Sequence, residues 1–163
     1  MKPRTLLPIL FLLLSCGAMN MNNFYEMHRN DPGVTAIEVP DFILEILRNS
    51  TPEMRHLLDN VEDVKFMSLP AGDESYTTRV GNEIDRITAT GYTDIYRRTR
   101  EDNTRSLFTV RENGKRITEL IWFDQAANNN LILYFKGNFD PDVIQRLSDT
   151  EEIDDIKHYL RQQ

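Results

Sequence analysis

One cysteine, three histidines and no long apolar run: these shortages exclude a good deal of chemistry from the 163-residue chain. A single cysteine, Cys16, can form no intramolecular disulfide and no cysteine-rich metal cluster. His28, His56 and His158 stand far apart, make no His-x-x-x-His pair, and read as surface residues. No regular calcium loop occurs. No serine sits in a Gly-x-Ser-x-Gly elbow, and Walker-type or dinucleotide glycine loops are missing. No catalytic, metal-ligating or cofactor-binding residue is therefore assigned, and no cofactor is expected. Positive charge is scarce too. Lys and Arg number 19 against 26 Asp and Glu, for a net charge of −7. Nucleic-acid affinity rests on cations meeting phosphate, so a nucleic-acid partner is not expected. Nor does any run reach the roughly 20 apolar residues that a transmembrane helix needs.

What is present begins at the amino end. MKPRTLLPILFLLLSCG opens with Lys2 and Arg4 and continues with an apolar run from Leu6 to Leu14. That is the layout of a secretory signal peptide, whose apolar core is about 7–15 residues long. Leu13-Leu14-Ser15-Cys16 resembles a bacterial lipobox, in which the cysteine thiol is acylated and the chain is cut just before it. An ordinary cleavage site with a chance cysteine is the competing reading. A lone thiol at the end of a signal peptide has little packing use, which favours the lipid. Two or more acyl chains, palmitate among them, hold a domain stably where one does not. The expected organisation is a signal peptide over 1–15, a lipidated cysteine and flexible tether over 16–23, and a single domain over 24–163. No acidic residue follows Cys16 within Gly17 to Asn23, so the expected location is the outer membrane, facing the periplasm.

Along the domain, Gly33 to Pro40 reads as a first strand. Asp41 is placed to cap a helix with Phe42, Ile43, Ile46 and Leu47 on one face. Thr51-Pro52-Glu53 restarts a helix, with Met54, Leu57 and Leu58 as its apolar side. Val64 to Leu69 is a second strand. A helix from about Glu74 to Thr88 follows, marked by Tyr76, Val80, Ile84 and Ile87 and ended by Gly91. Four strand candidates come next: Tyr92 to Arg98, Arg105 to Arg111, Ile117 to Phe123 and Leu131 to Lys136. Asn113-Gly114 predicts a tight hairpin between the middle two. Ile117 to Phe123 carries bulk on both faces, which predicts a central strand. Asp140-Pro141 starts a helix through Val143, Ile144 and Leu147, and Thr150 caps a last one with Ile153, Ile156 and Leu160. The fold class is α+β: a mostly antiparallel sheet of about five to six strands with helices packed on one face.

Two segments, GVTAIEVPDFILEIL and RITELIWFDQAANNNLILYFKGNFDPDVIQRL, preceded by the lipobox, resemble the small lipoproteins called domain of unknown function 4252, found mainly in Bacteroidota. The resemblance covers most of the chain after Cys16. It rests on an apolar strand, a Glu-Leu-Ile strand and a Lys-Gly at the end of the last strand. It implies a fold and a cell-envelope location and brings no established activity.

Two charge clusters remain. Asp149, Glu151, Glu152, Asp154 and Asp155 surround a predicted helix start, where acids favour the dipole, and are read so rather than as a metal site. Arg97, Arg98, Arg100, Arg105, Arg111, Lys115 and Arg116 crowd the segment that holds the first two hairpin strands. They are either the charged, protected edge of a sheet or a patch for an acidic envelope protein or an anionic envelope glycan. The sequence reading is thus a membrane-anchored cell-envelope lipoprotein, tied to the bilayer through acylated Cys16, whose domain binds rather than catalyses. An envelope enzyme with an unrecognised site and an accessory of an envelope stress or signalling system stay open.

Overall fold

A computed structural model describes residues 19–49, 52–70, 74–100, 104–126 and 129–149. Cys16, the acidic residues 151–155 and the expected helix after Thr150 lie outside the described residues, as does His158. In chain order the elements are α1 Met21–His28, β1 Thr35–Glu38, α2 Asp41–Arg48, α3 Pro52–Leu58, β2 Val61–Pro70, α4 Glu74–Thr88, β3 Thr93–Thr99, β4 Arg105–Asn113, β5 Arg116–Gln125, β6 Asn129–Phe139 and α5 Pro141–Asp149. The strands form one six-stranded sheet in the order β1-β2-β6-β5-β4-β3, and every neighbouring pair is antiparallel. The architecture is α+β, and the early strands join the same sheet as the late hairpins. β5 is central, as its two bulky faces require.

Those two faces also correct the layering. The sequence reading put the helices on one side of the sheet, but both sides are covered. Met67, Leu69, Ile121, Phe123, Ile132 and Tyr134 lie under Phe24 of α1 and Val80, Ile84 and Ile87 of α4. On the other face Val64, Val110, Leu120 and Phe139 lie under Leu44 of α2, Leu57 and Leu58 of α3 and Ile144 of α5. The physical reason is the composition of β5 and β6. Strands apolar on both faces need two covers, and Ile121 and Leu120, adjacent in sequence, are both at most 2% exposed. A register shift between Ile117 and Glu119 marks a bulge in β5. A bulge moves the residues beyond it to the other face, so Ile117 joins Val110 and Leu120 instead of Ile121 and Phe123.

Three local expectations change. The tether drawn through Asn23 ends earlier, because Asn20 caps α1 by accepting from the backbone N–H of Asn23 at 2.9 Å. Met21, Phe24, Tyr25 and His28, at i, i+3, i+4 and i+7, are the buried stripe of that helix. Asp41 is the first residue of α2 and not its cap, a position taken by Pro40 without a side-chain hydrogen bond. Within α2 it is Leu44 that enters the core, while Phe42 and Ile46 face outward. The helix is apolar around more than half its circumference, so periodicity alone does not choose the buried side. In the β4–β5 hairpin the two-residue loop is Gly114-Lys115, with Gly114 at φ +65, one residue later than expected; Asn113 still pairs with Arg116.

The Lys-Gly near the end of the last strand has a packing reason. Gly137 pairs with Val61 at a register shift of β2. A Cβ there would sit 2.3 Å from the backbone oxygen of Asn60 and 2.7 Å from the Phe139 ring. Asn60 is held in place, since its carbonyl accepts from the Asn138 N–H at 3.0 Å. Gly137→Ala is expected to destabilise by about 1–3 kcal/mol, the usual range for overpacking. An unshifted urea midpoint would show that the Asn60 turn yields freely.

Candidate functional site

The end of α1, the turn after it and α4 bring together a buried polar group. His28 is 4% exposed; it was expected on the surface. Its Nδ1 lies 2.8 Å from Asp31 Oδ2 and its Nε2 lies 2.7 Å from Glu83 Oε2. Tyr76 donates to Asp31 Oδ2 at 3.5 Å, and the Phe24 ring covers the imidazole at 4.5 Å between centroids. Both contacts of the ring are hydrogen bonds only when both nitrogens carry protons. A general base needs a free nitrogen aimed at substrate. Here each nitrogen is spent on a carboxylate, so His28 clasps α1 to α4. The two carboxylates lie on opposite sides of the ring, an arrangement that cannot chelate one ion. Among the described residues no group of three His, Cys, Asp or Glu is placed to hold a metal.

A second polar group closes on itself at the other end of the same face. Tyr92 donates to Glu119 Oε2 at 2.5 Å, and Arg111 Nε lies 3.4 Å from Glu119 Oε1 while its guanidinium covers the Tyr92 ring at 4.4 Å. Burial, and then the carboxylate of Glu119, pushes the Tyr92 phenol far above its ordinary range. Tyr134 is raised in the same way, burial first and Glu119 next. Both phenols stay protonated under all physiological conditions and serve as donors.

The cationic segment does not form one patch. Arg97 bonds Asp94 at 2.6 Å and meets Asp85 at 3.3 Å, and the Arg97 hydrogen bond holds the Asp94 carboxyl below its usual range. Arg105 reaches the same Asp85 at 2.8 Å and the Gly81 carbonyl at 2.7 Å, lying over Phe123. Arg111 goes to Glu119. Arg116 goes to Asp140 at 3.1 Å and to the Asn138 carbonyl at 2.7 Å. Asp140 also caps α5 by accepting from the Asp142 N–H at 3.0 Å. The structure therefore joins Arg97 and Arg105 through Asp85 and sends Arg111 and Arg116 elsewhere. Arg98, Arg100 and Lys115 are exposed, and Arg100 donates to Thr104 at 3.3 Å. Sequence reasoning missed Asp85 as a hub, because nothing local to α4 announces the β3 and β4 arginines that converge on it. His56, expected at the surface, is exposed.

A shallow concavity runs beside Glu74, Thr78, Asn82 and Arg86. Its lining comes from α4 alone, which makes it a helix flank and not a cleft between elements. One buried polar side chain stands apart from these networks. Asn130 on β6 is fully buried between Leu69 of β2 and Gln125 of β5, and neither its amide nitrogen nor its oxygen has a partner among the described residues. An unpaired buried amide costs about 1–3 kcal/mol. Asn130→Val is expected to raise the unfolding free energy by that amount in a denaturant titration; a loss of stability would contradict the reading of an orphaned amide.

A family model described as Domain of unknown function (DUF4252) matches residues 25–147. The chain belongs to the DUF4252 family. The matched span runs from Tyr25 of α1 through the sheet to α5 and so contains all six strands. It also includes the His28–Glu83 clasp and Gly137. No curated protein and no solved structure matches the chain.

Proposed function

We propose that this DUF4252 chain is a lipid-anchored protein of the bacterial cell envelope, held at the outer membrane facing the periplasm, whose domain is a binding module. The observation that carries the reading is Leu13-Leu14-Ser15-Cys16: the chain's single cysteine stands in a lipobox, closely followed by the Asn20 cap of α1. Acylation gives that thiol a purpose that no disulfide or metal cluster can. The binding role is supported by how the polar clusters are spent. His28, Glu119 and Asp85 each commit their ring or carboxylate atoms to joining elements of the fold. Lys115 stands at the tip of the β4–β5 hairpin, so for a partner Arg98 and Arg100, at the other end of β4, are the neighbouring exposed cations that pair with no carboxylate among the described residues. They suit an acidic envelope protein or an anionic envelope glycan. A tether raises the effective concentration of such a partner, so weak contacts suffice.

Cys16→Ala is the direct test. The substituted protein is expected to leave the detergent-rich phase in a detergent phase separation and to become extractable from membranes without detergent. Retention of the substituted chain with membranes would sink the lipid-anchor reading.

A further inference from the structure

Seven large apolar side chains stand exposed among the described residues, and five of them lie between Met27 and Leu47. They are Met27, Ile37, Phe42, Ile46 and Leu47, with Phe42 and Ile46 each 65% exposed. They belong to α1, β1 and α2: β1 is the edge strand, with α1 on one face of the sheet beside it and α2 on the other. α1 reaches that edge through Tyr25: Lys65 Nζ lies over its ring at 5.4 Å and meets Glu38 of β1 at 3.5 Å. α2 begins at Asp41, just beyond Glu38. Leu44 fills the inner side of α2, leaving Phe42 and Ile46, one turn apart, as an outer stripe.

We propose that this edge rests on the bilayer that holds Cys16, with Phe42 and Ile46 of α2 seated among the lipid headgroups. The inference rests on the lipid-anchor reading. Three observations select a bilayer as the occupant. The first is reach. A fully extended chain covers at most about 3.3–3.6 Å per residue, so the few residues between Cys16 and Asn20 hold the start of α1 close to the headgroups. α1 and α2 cover opposite faces of the sheet but meet the same edge strand, so an edge-on contact brings both to the surface. The second is size. A free-standing protein interface buries about 800 Å² per partner, far more than two protruding side chains and three half-exposed ones offer. A contact made within an already tethered molecule needs much less. The third is charge. Asp41 and Glu45 border the stripe, and Arg48 is engaged by Glu45, Asp59 and the Leu58 carbonyl. An acidic border suits a zwitterionic surface and is repelled by an anionic one. The seating is apolar and so insensitive to salt.

The test uses the full acylated chain in phosphatidylcholine vesicles. With the Cys16 sulfur blocked by lipid, Phe42→Cys or Ile46→Cys supplies the sole free thiol, and Tyr96→Cys on β3, at the opposite edge of the sheet, serves as control. An environment-sensitive fluorophore on each reports its surroundings. Positions 42 and 46 are expected to emit at shorter wavelength and to be quenched by lipid-borne quencher. Their quenching by aqueous iodide should be several-fold weaker than at position 96, unchanged in high salt, and the protection should decline as anionic lipid is added. Equal iodide quenching at all three positions would overturn the proposal. So would protection that appears in whole envelopes and not in pure lipid, which would make the occupant a protein. Failure of the anchor itself reads differently: the parent chain would then react with the thiol reagent at Cys16 and would not float with the vesicles.

Discussion

Phe24→Ala is expected to cost about 3–5 kcal/mol of unfolding free energy, the range for removing a large aromatic from a core. Phe24 is 0% exposed and packs with Met21, Tyr25 and the inner faces of α4 and the sheet. Its ring also covers His28, so the substitution loosens the clasp as well as leaving a cavity. The effect is diagnostic because of where Phe24 stands. If the segment from Met21 onward were an extension of the tether, truncating it would leave the urea midpoint unchanged. Met27→Ala, on the same helix but 53% exposed, provides the internal comparison and should stay within about 0.5 kcal/mol, as surface changes do. A Phe24 variant as stable as the Met27 variant would detach α1 from the domain.

His28→Leu is expected to lower stability by about 3 kcal/mol. The contacts of both ring nitrogens with carboxylates are lost, and a hydrogen bond to a charged group is worth about 1.5–3 kcal/mol. Asp31 is one-third exposed and regains water, so most of the loss arises at Glu83, whose side chain is 14% exposed. Leaving that carboxylate without its donor is worse than removing both partners. The double variant His28→Leu, Glu83→Leu should therefore recover part of the loss. A thermodynamic cycle through the two single variants measures the coupling, and the clasp requires it to exceed about 1 kcal/mol. Additive single effects would mean that the imidazole and the carboxylate are neighbours without energetic linkage.

These two residues also show how much was readable in advance. The meander of strands from β3 to β6 was legible because each strand is long, rich in β-branched and aromatic residues, and bounded by polar or turn-forming residues. α4 was legible from end to end, Glu74 to Thr88, since its apolar positions repeat at helical spacing. The stripe Met21, Phe24, Tyr25, His28 follows the same rule, yet the asparagines around it read as linker. Only tertiary burial makes that short segment a helix. His28 and Glu83 are 55 positions apart, and Asp85 meets arginines from two different strands. Pairings of that kind depend on topology, which periodicity does not encode. The cationic run read as one patch because its members are close in sequence. Alternation along the β-strands, together with the bulge between Asp94 and Tyr96, disperses them over both faces and two ends. In α2 the pattern overstated burial: the side chains expected to face the core include the two that protrude most.

The family motifs acquire physical meaning in the same way. The strand of the first segment is β1, at the edge of the sheet, the Glu-Leu-Ile strand is β5 and the Lys-Gly strand is β6, neighbours in its middle, and the glycine after Lys136 is the point where the Asn60 turn crosses the last strand. They build the platform of the fold.

The mass of the amino-terminal peptide, released from the protein purified out of membranes, tests the proposed lipid attachment at Cys16 most directly. The account predicts a chain that begins at Cys16 and carries diacylglyceryl on the sulfur. An unmodified Cys16 thiol, or a chain that still begins upstream of it, would contradict the account.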